Sequence, residues 1–202
     1  LSWQYPVVEI IMGIIFVMVF KDGPYIGSSF IRSVLISGIM SSLIVICVSD
    51  LKYHLISDYI LLALFVFSVL FNLSDFVRVG IKPTPTTIYN YLQPFITNYI
   101  PSGLVVALPI WLIYFFSKEH AMGLGDVYLS ANIGFLLGWQ AGFMALYIAF
   151  ITGAIFGLIA IILKNKKLKS KIAFGPFLVI GTVVMLFWGE KILEAVRRIY
   201  GF

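Results

Sequence analysis

The stretch Met122-Gly123-Leu124-Gly125-Asp126-Val127-Tyr128-Leu129-Ser130-Ala131-Asn132-Ile133-Gly134 sets an acid, preceded by Gly-x-Gly, at the start of an apolar, helix-like run. A carboxylate placed beside hydrocarbon is costly unless something uses or satisfies it, so an acid within a membrane segment marks a candidate functional site. The glycines permit backbone conformations and close approaches that a side chain forbids. The surroundings decide whether Asp126 is such an acid. Of the 202 residues, 61% are hydrophobic and only 11% charged, and the mean hydropathy is +1.03.

Several apolar runs approach or exceed the roughly 18–20 residues needed to cross a bilayer. They follow one another through short loops, as a globular core would not require. Alternation in segments of about ten residues, the mark of a membrane β-barrel, is missing. The expected fold is an all-α polytopic membrane protein with about seven transmembrane helices, some short or partly submerged, and an amphipathic C-terminal tail. The helices are expected over residues 7–20, 29–50, 59–73, 99–116, 121–138, 141–163 and 174–187, and the tail over 190–202. The fifth is a full crossing only if counted from 121, which puts Asp126 inside the membrane near one end. Residues 74–97 form the one long connection, with a possible interfacial helix near 89–96.

Small residues at Gly38, Ser41 and Ser42, and the pair Gly134 and Gly138, are expected to let helices pack closely. The single cysteine, Cys47, excludes internal disulfides and a cysteine-cluster zinc site, and reads as a buried structural thiol. His54 and His120 show no metal-ligand spacing. The net charge of +5 reads as a topology signal and not as nucleic-acid binding. Seven crossings put the loops 51–58, 117–125 and 164–172 on one side, and the last of these carries Lys164, Lys166, Lys167, Lys169 and Lys171. Positive charge concentrated in short loops makes that side cytoplasmic.

On this topology Asp50, at the end of the second helix, and Asp126, at the start of the fifth, share the cytoplasmic end. Two carboxyls close together cannot both ionise easily and share a proton, so one can act as base on water while the other polarises a peptide carbonyl. Asp58 stands where a helix N-cap would. Glu9, near the start of the first helix, is either a hydrated interfacial acid or a partner for a substrate cation.

Gly123-Leu124-Gly125-Asp126-Val127-Tyr128-Leu129 resembles the GxGDxKL motif of the type IV prepilin peptidases, the bacterial branch of the GxGD aspartic membrane proteases. Asp50 through Asp58 resembles that family's first catalytic segment. Ser2-Trp3-Gln4-Tyr5-Pro6-Val7-Val8-Glu9 is similar to its SWRYPxVE entry, and Phe174-Gly175-Pro176-Phe177-Leu178 to its late FGPFL element. The resemblance implies one membrane-embedded peptidase domain over residues 1–202, in the bacterial inner membrane with its site facing the cytoplasm. It would cleave the short basic leader of a prepilin or pseudopilin-like substrate. Asp50 and Asp126 match the catalytic pair, Gly123 and Gly125 shape the site, and Glu9, Asp58 and Glu119 are candidate counter-charges. Membrane lipid is the other expected partner; no cofactor, metal or nucleic acid is expected.

Tyr128 stands where the family has Lys, and Ser57 and Ala173 where it has Pro. Bifunctional members carry an N-terminal domain with paired Cys-x-x-Cys segments, associated with N-methylation. This chain begins where that domain would end, so peptidase activity alone is expected. Other readings are a GxGD protease of the presenilin or signal-peptide-peptidase type, an inactive relative acting in assembly, and an ion-coupled carrier. The last calls for midplane acids and inverted repeats, which the sequence does not show.

Overall fold

The structure, a computed structural model, describes residues 9–10, 13–14, 16–17, 30–78, 93, 95–120, 122–163 and 173–200. Six α-helices are resolved in full among them: α1 (Phe30–Tyr53), α2 (Asp58–Arg78), α3 (Ile100–Ser117), α4 (Leu124–Leu137), α5 (Trp139–Ile162) and α6 (Gly175–Tyr200). A π-helical turn, Phe95–Tyr99, leads into α3. The described residues contain no strand. The segments Phe30–Tyr53, Ile96–Ser117, Trp139–Ile162 and Gly175–Ile199 are long and apolar enough to cross a membrane, and Asp58–Ser74 and Leu124–Leu137 are shorter apolar helices. The protein is a helical membrane protein.

Of the expected helix over 7–20, only residues 9–10, 13–14 and 16–17 are described, all helical and exposed. The remainder of that helix, the expected interfacial helix apart from Gln93 and its last residues, and the lysine-rich loop lie outside the described residues. The expected tail is not a separate element. α6 runs unbroken to Tyr200, because after Pro176 it holds no further proline and only the glycines Gly181 and Gly189, which a helix tolerates. Its last turns remain amphipathic: Ile192 and Leu193 pack against the core, while Lys191, Glu194, Arg197 and Arg198 are exposed.

At about 1.5 Å per residue, α4 is roughly 21 Å long, shorter than the hydrocarbon layer of about 30 Å. It is nevertheless the centre of the bundle, touching α2, α3, α5 and α6. Val127, Leu129, Ile133 and Leu136 on α4 are buried, as are Ile39, Leu43 and Ile46 on α1 and Leu178 on α6. Because lipid is as apolar as leucine, helix association in a membrane depends on close packing and hydrogen bonds. Glycine supplies the first. A Cβ on Gly134 would meet the Ser102 carbonyl of α3, and one on Gly181 would meet the Ala145 carbonyl of α5. On Gly38 it would lie 2.6 Å from the Phe67 ring.

The expected Gly134/Gly138 pair does not act as one face. Gly134 packs, whereas Gly138 has φ +80° and nothing within 4 Å of a built Cβ. Gly138 is the single residue between α4 and α5, and the left-handed turn there is what glycine supplies. Ser41 and Ser42 bond to carbonyls of their own helix, Ser37 and Gly38 respectively. Asn72 of α2 donates to the Phe135 carbonyl at 3.0 Å and so ties α2 to the last turn of the short α4. Cys47 is half-buried against the core.

Gly134→Ala is expected to destabilise the protein by about 1–3 kcal/mol through overpacking against backbone. Ala at Gly153, whose Cβ would sit 3.4 Å from the Phe177 ring, should change little. Thermal melts of the two variants in the same detergent check this.

Candidate active site

Asp50 lies in the last turn of α1, and only 6% of it is exposed. The helix ends three residues later. His54 follows at φ +51° and its N–H donates to the Asp50 carbonyl at 2.9 Å. The chain then runs as loop through Leu55, Ile56 and Ser57 before α2 begins. Ser49 Oγ donates to the Leu55 carbonyl at 2.8 Å and ties this loop back onto α1. The Ser57 carbonyl accepts the N–H groups of Ile60 and Leu61. The N-cap position therefore falls to Ser57, and Asp58, expected there, is the first helical residue. Asp58 is exposed.

Asp126 is the third residue of α4 and 9% exposed. Its Oδ2 accepts the Gly123 N–H at 3.2 Å. This is one half of a capping box: an acid in the first turn reaches back to satisfy a backbone donor before the helix, where the helix dipole also favours negative charge. Glycine has no side chain to make the other half. The second glycine of the motif has a different task. A Cβ on Gly125 would lie 2.9 Å from Ile56 Cβ, so Gly125 admits the loop that follows Asp50 onto the start of α4. Gly123 faces no such neighbour, the nearest atoms to a built Cβ being 4.0 Å away.

The two acids are brought together at one end of the bundle, close enough for the Asp50 charge to act on Asp126. The start of α6 completes the arrangement: the Gly175 N–H donates to Asp50 Oδ2 at 2.9 Å. Nothing in the sequence pairs Gly175 with Asp50, 125 residues away; the only signal was its place in the FGPFL-like stretch. Beside α1 and α2 opens a cavity of about 410 Å³, whose walls include Ser49, Tyr53, Ile56, Asp58 and Tyr59. Glu9 is helical and exposed, and no described interaction joins it to either aspartate.

Tyr128 follows Asp126 by two residues, about 200° round the helix, and is exposed. It acts electrostatically on Tyr114, whose hydroxyl donates to Glu119 Oε1 at 2.6 Å. The departure from the family's lysine thus lies on the α3 side of α4, turned away from Asp126. His120 folds back on its own loop, with Nδ1 against the carbonyls of Ser117 and Lys118. Glu119, tied to Tyr114, is exposed on the same loop.

A helical membrane bundle with two buried aspartates held at one end is the class that fold and site define. The chain belongs to the type IV leader peptidase family, whose model matches residues 37–158. It is 30% identical over 203 aligned residues to a prepilin leader peptidase/N-methyltransferase of Aeromonas salmonicida, covering 95% of this chain and 60% of that protein. A protein of the same name from Legionella pneumophila is 31% identical over 145 residues, 72% of this chain and 46% of the relative. One from Pseudomonas aeruginosa is 34% identical over 92 residues, 46% of this chain and 32% of the relative. The chain thus spans about three-fifths of the length of the first of these relatives. No solved structure matches it.

Because only Gly125 has a neighbour in the way, the two motif glycines should respond differently to alanine. Gly125→Ala is expected to cost about 1–3 kcal/mol of stability, and Gly125→Ser at least as much, since both place a Cβ against Ile56 Cβ. Gly123→Ala should stay within about 1 kcal/mol of the parent. Denaturation midpoints of the four proteins check this.

Proposed function

We propose that this chain is an aspartic endopeptidase that removes the leader from prepilin or pseudopilin-like proteins, with Asp50 and Asp126 as its catalytic pair. The observation that carries the reading is the placement of two buried carboxyls, from α1 and α4, at the same end of a membrane bundle. The packing of the loop after Asp50 on Gly125, next to Asp126, and the family membership support it. A pair of this kind holds one proton between two acids. The ionised acid takes a proton from water as the oxygen adds to the scissile carbonyl carbon, and the protonated acid gives its proton to the carbonyl oxygen. The gem-diol then collapses. One of its hydroxyl protons returns to an acid while the other acid protonates the leaving amine, and the shared proton is restored.

The peptidase part of the relatives' name is the part this reading takes over. The clustered lysines of the loop between α5 and α6 favour a cytoplasmic site in the bacterial inner membrane. The cavity between the end of α1 and the start of α2 offers room for leader residues, with the Asp58 carboxylate and the Tyr59 ring on its wall to meet a basic side chain. Gly123 and Gly125 shape the site, the former by satisfying Asp126 and the latter by admitting the loop at Ile56. Glu9 remains a candidate counter-charge for the basic leader.

Asp50→Asn and Asp126→Asn are each expected to cut leader cleavage by about 10²–10⁴-fold or more, measured on purified protein with a prepilin-like substrate. Persistence of cleavage in either folded variant would refute the assignment. Asp58→Asn should act on binding instead, raising KM about two- to fivefold for an exposed charge pair and leaving kcat near its parent value. Tyr128→Lys should leave both parameters within about twofold, since the residue is exposed and lies on the face of α4 opposite Asp126.

A further inference from the structure

The first turn of α6 is arranged so that one backbone donor is left over, and that donor goes to Asp50. The opening N–H groups of a helix have no partner within it. In α6, Pro176 has no N–H, and Phe177 and Leu178 donate to the Phe174 carbonyl at 3.0 and 3.2 Å. The Gly175 N–H remains, and it reaches Asp50 Oδ2 at 2.9 Å in a buried setting. The glycine is also shaped to the same side chain. A Cβ at this position would lie 2.6 Å from Asp50 Oδ2, 3.1 Å from Cγ and 3.4 Å from Cβ. All three of the nearest atoms belong to Asp50, so the missing side chain makes space for this carboxyl and not for general packing.

We propose that Gly175 is a positioning residue for Asp50: its N–H fixes the rotation of the carboxyl, and its lack of a side chain lets that carboxyl lie against the start of α6. This deepens the peptidase reading and rests on it. Engaging Oδ2 leaves Oδ1 as the oxygen free to exchange protons with water and with Asp126. The carboxyl is then held from two elements, its own helix α1 and the incoming α6. The FGPFL-like stretch thereby acquires a physical task. Phe174 supplies the carbonyl that occupies two donors, Pro176 withholds a third, and Gly175 delivers the remaining one.

The experiment uses the full chain, with Gly175→Ala, Asp50→Ala and the double variant. Gly175→Ala is expected to lower kcat about 10²-fold, as a displacement of about 1 Å does, with KM within about twofold of the parent. Its Tm loss should shrink markedly in the Asp50→Ala background, where Cγ and the carboxyl oxygens that Cβ would strike are gone. A kcat within about threefold of the parent, or Tm losses that simply add in the double variant, would overturn the inference. If Gly175→Ala melts too early for kinetics, the Tm coupling alone decides, since additivity is the outcome for residues that do not touch. Failure of the parent protein to cleave any prepilin-like substrate would instead overturn the peptidase reading. The Tm coupling, which needs no substrate, would still report on the contact.

Discussion

Two carboxyl groups must be buried at the end of an apolar bundle without being left unsatisfied, and the arrangement of helix ends follows from that need. Groups that are 6% and 9% exposed keep little of their contact with solvent, and a buried acid without partners is costly. The chain answers with backbone donors. Asp126 takes the Gly123 N–H from just before its own helix, and Asp50 takes the Gly175 N–H from the start of a helix far along the chain. Backbone amides at helix starts need acceptors in any case. Each pairing therefore settles two deficits at once, and no cation has to be brought in.

That solution constrains the rest of the packing. For α6 to deliver its amide, its start must lie against the last turn of α1. For Asp126 to reach the same place, the loop after Asp50 must cross the start of α4, which Gly125 permits by leaving room for Ile56. Deeper in the bundle the same device recurs where Gly134 meets the Ser102 carbonyl and Gly181 the Ala145 carbonyl. α4 is too short to span the bilayer by itself, yet it contacts four of the other helices. Its position, more than its length, makes it the frame on which the site is built.

The residues around the acids divide by what they touch. Gly123, Gly175 and the Ile56 loop act on the carboxyls or their immediate neighbours. Asp58 and Tyr59 line the open space between the end of α1 and the start of α2. Tyr128 and Glu119 belong to a separate group on the α3 side, centred on the Tyr114 hydroxyl. The departure from the family's motif at Tyr128 thus falls on the face of α4 opposite Asp126, because a two-residue step turns a helical side chain to the opposite face.

Much of this was legible in the sequence, and for a physical reason. Long apolar runs carry their own instruction in a membrane, since backbone groups there must be satisfied within the segment; α1, α3 and α5 appear within a few residues of where hydropathy puts them. Asp50 and Asp126 stood out because acids beside such runs are costly. The tail after Gly189 was misjudged as separate because amphipathicity says which face is wet, not whether a helix has ended. Gly138 was misjudged as a packing residue because small-residue spacing cannot distinguish a contact from a turn. Only the tertiary structure could show that Gly175 serves Asp50 and that Gly125 makes room for Ile56. These are contacts or orientations set by how helices are placed in space, and local sequence carries no record of the partner across 125 residues of chain.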